Sequence, residues 1–141
     1  MSSPDQTLAF SSNFLFVPGT RPERFSKALD SGANAVVLDL EDAVPEEDKE
    51  VARNAIRSAW PSFTAEQKNR LVIRSNSPGS QFYAADLILA QEVNVACILI
   101  PKSESQDEIN GAALMLPSTA IIPMIETALG LENLREIANS N

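Results

Sequence analysis

Arg74, Lys102, Glu41, Asp42, Glu104 and Glu126 stand at or just beyond the ends of short apolar runs, where their side chains could do chemistry together. A guanidinium fork can hold a carboxylate through two parallel hydrogen bonds. Carboxylates can bind a hard metal ion or move a proton. A strand-end lysine could form a Schiff base, provided that its surroundings depress its pKa. The chain contains no histidine, which excludes His-based triads and His-ligated zinc. Asp, Glu, Lys, Arg, Tyr and Ser remain for any reaction.

The elements that must position these groups are legible as five runs: FLFVPG (14–19), AVVLDLED (35–42), LVIRSN (71–76), ACILIPK (96–102) and AIIPMIET (120–127). Short β-branched runs separated by helix-length stretches predict parallel β/α units. Helices are expected over 23–32, after Pro18-Gly19 and Pro22; over 51–60, behind the acid-rich start Pro45-Glu46-Glu47-Asp48; and over 64–70, 82–92, 105–116 and 131–138. Residues 1–12 are polar and Ser-rich and read as a flexible lead-in to one domain over 13–141. A five-stranded doubly wound sheet is the rival fold at this length. Functional groups at every strand end favour the (β/α)8 barrel, whose sites form at the C-terminal ends of its strands. Five units make an incomplete barrel, and 141 residues are little more than half of the typical ~250.

Composition narrows the class. A net charge of −8 without a long basic run argues against general nucleic-acid binding. Cys97 lies inside an apolar run and reads as a small core residue, and one cysteine fits a cytoplasmic protein without disulfides. No basic n-region with an apolar stretch marks a signal peptide, and no run approaches the ~20 apolar residues of a membrane span. Neither GxGxxG nor GxxxxGK[ST] follows the first strand.

FLFVPGTRPERFSKAL, SGANAVVLDLEDAVPEEDKEVAR, VIRSNSPGS, ILIPKSES and IIPMIETALGLENLREIA follow one another in an order and spacing that resembles the HpcH/HpaI aldolase and citrate lyase β-subunit superfamily. The likeness covers the chain after residue 12 and is nearest to the citryl-CoA, malyl-CoA and citramalyl-CoA lyases. The resemblance implies a Mg2+-dependent carbon–carbon lyase acting on a 3-hydroxyacyl-CoA to give a 2-oxo acid and an acyl-CoA. It implies that Glu126 is a magnesium ligand. Its usual partner is an Asp after a sixth strand, and this chain ends at Asn141 before any such strand, so that second ligand is expected to be absent.

The resemblance further implies that Arg74 binds the substrate carboxylate, against the alternative of an Arg paired with a strand-end acid. Phe16, Arg21, Arg24 and Lys27 correspond to the segment that related lyases set against the CoA or acyl part. The i, i+3 spacing of the three cations puts them near one another on a helix, where ordinary solvated charge is equally compatible. Glu23 falls where some relatives carry another basic residue. Glu41 and Asp42 are supporting candidates, either holding a metal-bound water and orienting cations or pairing with Lys49 or Arg53 as struts. The implied metal dependence argues against a Schiff base at Lys102, and Asp86 is expected to be structural. No residue is assigned the proton transfer, which in some relatives comes from a neighbouring subunit.

Two alternatives stay open. The chain could be a truncated, catalytically incomplete half-barrel that joins a partner half or a second copy, since five strands leave two open edges. It could also be a CoA-free 2-oxo acid aldolase of the same superfamily.

Overall fold

In the computed structural model, residues 11–140 are described. Five strands, β1 (Phe14–Pro18), β2 (Ala35–Asp39), β3 (Leu71–Arg74), β4 (Cys97–Ile100) and β5 (Ala120–Pro123), form one parallel sheet in the order β1-β2-β3-β4-β5. Sequential order separates the two folds considered from sequence. A doubly wound sheet reverses at a switch point, whereas each strand here pairs with the next in the chain, as in a β/α barrel. The helices are α1 (Phe25–Leu29), α2 (Lys49–Ala59), α3 (Ala65–Lys68), α4 (Tyr83–Val93), α5 (Gln106–Met115), α6 (Ala128–Glu132) and α7 (Leu134–Ala138). None of the described helices is long and apolar enough to cross a membrane.

Strand alternation divides the apolar residues between two faces. Val36, Leu38, Ile73, Ile98 and Ile100 pack with α-helical Phe25, Ala52, Ile56 and Leu89 in the larger core. Ala35, Val37, Val72, Cys97 and Leu99 form the inner face, joined by half-buried Ala120, Ile122 and Met124. Cys97 is buried as expected. Phe14 and Phe16 lie in register with Ala35 and Val37, which sets them on the inner face, yet they remain 37% and 41% exposed.

Local chemistry explains where elements differ from expectation. The first helix is shorter than 23–32: Pro22–Arg24 forms a 3-10 turn, α1 ends at Leu29, and Gly32 turns the chain at φ 86°. The expected last helix is two short ones, α6 and α7, broken at Asn133, whose side-chain amide donates to Glu104 O. Thr64-Gln67 and Ser105-Glu108 start α3 and α5 as reciprocal capping boxes. Of the expected lead-in, residues 1–10 lie outside the described residues. Its last residue, Ser12, donates from backbone and hydroxyl to Asn34 Oδ1.

Candidate functional site

The parallel register sets Asp39 of β2 directly beside Arg74 of β3. Arg74 donates from Nε and Nη2 to the two oxygens of Asp39, at 2.8 and 2.6 Å. Asp39 also accepts from the backbone N–H groups of Glu41 and Ala43. Both residues are buried, and the hydrogen bond to Asp39 comes first among the causes that raise the Arg74 pKa. The ring of Phe16 lies 5.0 Å from the guanidinium carbon, within cation–π range. Arg74 therefore does pair with a strand acid. A guanidinium has five N–H donors, so the pair with Asp39 consumes one edge of the fork, and the remaining Nη1/Nη2 edge faces Glu41, 3.2 Å from Nη1. Asp39 was not singled out in the sequence; the available signal was a carboxylate inside an otherwise apolar strand.

Lys102 follows β4 with its backbone in the left-handed region, at φ 50°. Few non-glycine residues adopt that conformation. It turns the Lys102 N–H onto Glu126 Oε1, at 3.0 Å, while Nζ reaches back to a short hydrogen bond with Glu41 Oε1. That contact is the leading cause raising the Lys102 pKa, the opposite of what a Schiff-base lysine requires. Glu41 is buried, and its Oε2 lies 3.2 Å from Arg74 Nη1 but makes no hydrogen bond. Asp42 is exposed, 3.8 Å from Lys102 Nζ and 4.0 Å from Arg74 Nη1.

The strut partners expected for Glu41 and Asp42 are corrected by these contacts. Lys49 donates to the backbone carbonyls of Leu40 and Glu41, each at 2.7 Å, and burial lowers its pKa. Arg53 instead meets buried Asp86 at 2.9 Å and, on its other side, Glu50. Asp86 also accepts from the Asn76 backbone and side chain, both at 2.7 Å, and Asn76 donates to Leu40 O. Burial pushes the Asp86 carboxyl up, against the pull of Asn76 and Arg53. This network lies behind the β2 and β3 ends and fixes the backbone that carries Glu41.

The basic segment divides. Phe16 joins Arg74 on the inner face, whereas Arg24 and Lys27 line a cavity of about 620 Å3 with Leu15, Val17 and Ala28. Leu15 and Val17 alternate with Phe16, so this cavity lies on the opposite face of β1. Arg21 and Arg24 are both near Glu23, at 3.8 and 4.0 Å. At the strand ends a second cavity of about 360 Å3 is lined by Glu41, Asp42, Lys49, Asn76, Ser77 and Lys102, among others.

Glu126 is exposed beyond β5. No group of three His, Cys, Asp or Glu among the described residues is gathered to hold a metal. The donor set still suits Mg2+, which takes one or two carboxylates and fills its other positions with water or substrate oxygens. The buried Glu41 Oε2, without a hydrogen-bond partner, is an acceptor for such a water.

Residues 13–141 match the family described as HpcH/HpaI aldolase/citrate lyase. A citrate lyase subunit beta-like protein of Mycobacterium tuberculosis is 38% identical over 125 residues, covering 89% of this chain and 42% of that protein. A (3S)-malyl-CoA thioesterase of Cereibacter sphaeroides is 33% identical over 125 residues, covering 88% and 43%. The M. tuberculosis citrate lyase beta subunit solved with oxaloacetate and magnesium superposes with a TM-score of 0.81 at 34% identity, over 96% of this chain and 56% of that one. M. tuberculosis CitE, solved with magnesium, acetoacetate and coenzyme A, gives 0.79 at 36% identity, over 91% and 44%. The chain thus spans less than half the length of these two curated relatives. On its fold, its strand-end groups and these likenesses, the chain belongs to the HpcH/HpaI aldolase/citrate lyase family.

Proposed function

We propose that this chain contributes the first five β/α units of the active site of a Mg2+-dependent carbon–carbon lyase, in a cytoplasmic setting. The proposed substrate is a 3-hydroxyacyl-CoA of the malyl, citryl or citramalyl type. Cleavage breaks the bond between the hydroxyl-bearing carbon and the thioester α-carbon. The hydroxyl loses its proton and becomes the carbonyl of a 2-oxo acid. The electron pair of the broken bond passes to a thioester enolate, which is then protonated to the acyl-CoA. The observation that carries this reading is the Asp39–Arg74 pair, which leaves one guanidinium edge beside Glu41, Lys102 and Glu126.

Arg74 grips the substrate carboxylate with that edge, and Asp39 and the Phe16 ring hold the guanidinium in place. Glu126 would hold the metal, its carboxylate oriented by the Lys102 N–H. When bound, Mg2+ supplies Lewis-acid polarisation of the oxygen that becomes the carbonyl. Glu41 Oε2 offers an acceptor at the same mouth. Arg24 and Lys27, with Arg21 nearby, are the proposed phosphate-facing charges for CoA. Their place across β1 from Phe16 requires the cofactor to pass around the β1 edge.

The test is titration calorimetry of the chain with oxaloacetate, with and without Mg2+, beside a malyl-CoA cleavage assay. Mg2+-dependent binding that Glu126→Ala abolishes is expected, and binding that survives this substitution unchanged refutes the metal assignment. A preference for free hydroxy-oxo acids over malyl-CoA would favour the CoA-free aldolase.

A second reading rests on the edges of the sheet. The outer edge of β1 pairs with no strand among the described residues, and Phe14, Leu15 and Phe16 are each more than a third exposed there. Such an edge favours association with a partner half-barrel or a second copy. Size-exclusion chromatography distinguishes the cases, and a well-behaved monomer counts against association.

A further inference from the structure

Arg74 faces two carboxylates, not one. Asp39 already neutralises it through two hydrogen bonds, and Glu41 Oε2 stands 3.2 Å from Nη1, at the edge left for a ligand. An arginine flanked by two unopposed buried carboxylates would sit in a net negative field and would repel an anionic ligand. Lys102 opposes the second. Its Nζ bonds Glu41 Oε1, so the two buried carboxylates, Asp39 and Glu41, are matched by Arg74 and Lys102, with exposed Asp42 at the rim 3.8 Å from Lys102 and 4.0 Å from Arg74. The same contact holds the Glu41 side chain by one oxygen, with the other near Nη1 but outside hydrogen-bond geometry. Without Lys102, that carboxylate would be opposed by Arg74 alone.

We propose that Lys102 is a positioning residue for anion recognition: it shares and neutralises the Glu41 carboxylate that lies against Arg74 Nη1, so that the guanidinium keeps positive charge for the carboxylate of a 2-oxo acid. The proposal rests on the reading of Arg74 as the carboxylate anchor. It goes beyond that reading by giving the lysine a role that needs no contact with substrate. Its left-handed backbone serves the same end, aiming N–H at Glu126 and Nζ at Glu41 from one residue.

The test is a double-mutant cycle on oxaloacetate affinity in saturating Mg2+, read by calorimetry. Lys102→Met keeps a side chain of similar length and the backbone N–H to Glu126 while removing the ammonium. It is expected to weaken binding about tenfold or more. Lys102→Arg keeps the charge and is expected to bind within about threefold of the parent. The deciding variant is Glu41→Gln combined with Lys102→Met. Removing the charge that Lys102 opposes is expected to recover most of the lost affinity, an outcome that a purely structural lysine would not produce. A double variant as weak as Lys102→Met, or Lys102→Met binding like the parent, overturns the proposal. If the parent chain binds no oxaloacetate, the proposed function fails for this chain by itself. Lys102 is then judged by urea unfolding of the parent, Lys102→Met, Glu41→Gln and the double variant. A coupling of at least about threefold in the unfolding constant keeps the Glu41–Lys102 pair, and additivity refutes it.

Discussion

Gly19 follows β1, and its N–H donates to Asp39 O at 2.8 Å. A methyl group at this position would lie 2.9 Å from Asp39 O, 3.1 Å from Ala52 Cβ and 3.3 Å from Ile56 Cδ1. All three neighbours belong to packed elements, so Gly19→Ala must push β2 or α2 aside. Overpacking of this kind costs about 1–3 kcal/mol. The alanine also restricts the unfolded chain, which returns about 0.4–1 kcal/mol. The expected net loss is about 1.3 kcal/mol, which at a urea slope of roughly 2 kcal/mol/M lowers the midpoint by about 0.7 M. Gly111 is the matched control, because a methyl there meets nothing within 4 Å. It lies inside α5, where Gly→Ala gains up to about 1 kcal/mol, or about 0.5 M in the opposite direction. Urea unfolding followed by circular dichroism reads both. A Gly19→Ala midpoint at or above that of the parent would refute the packing argument, and the Gly111 result shows whether the assay resolves shifts of this size.

Asp86→Ala removes the buried one of the two carboxylates that meet Arg53 and leaves the Asn76 N–H without its acceptor, so a loss of about 2–3 kcal/mol is expected; urea unfolding within about 1 kcal/mol of the parent would contradict the network. Arg74→Lys loses the planar fork and cannot satisfy both Asp39 oxygens and a ligand. Oxaloacetate affinity should fall by about 2 kcal/mol, roughly 30-fold, and near-normal calorimetric affinity would contradict the anchor role. Tyr83 is the only tyrosine, and burial, with Glu108 adding, raises its phenol to about 12. The folded form holds this proton more tightly than the unfolded chain, with its ordinary value of 10.0. Its contribution to stability is therefore complete below pH 10 and is lost as the pH rises towards 12. Absorbance at ~295 nm should give a midpoint near 12 in the folded protein, and a midpoint at 10 would show the hydroxyl to be solvated.

Much of this protein can be read one residue at a time. Apolar runs of strand length separated by helix-length stretches predict parallel β/α units, because burial on both faces demands continuous β-branched strands. All five expected strands form, each shorter than its run. The order of motifs from FLFVPG to IIPMIET identifies the family, and the strand-end positions of Arg74, Lys102 and Glu126 follow from the same pattern. Helix boundaries were less legible where Gly32 and Asn133 interrupt the chain.

What spacing along the chain could not decide is which strand lies beside which and in what register. That register sets Asp39 against Arg74, 35 residues away, and so determines which guanidinium edge the carboxylate takes up. It also leaves Lys102, rather than Lys49 or Arg53, to oppose Glu41, 61 residues away. Strand alternation parts Phe16 from the cavity holding Arg24 and Lys27, although the three lie within one short stretch of sequence. Residue type and local pattern set the menu of charges at the strand ends. Only the tertiary pairing of those ends, through hydrogen bonds a few ångströms long, determines which charges cancel and which remain for a ligand.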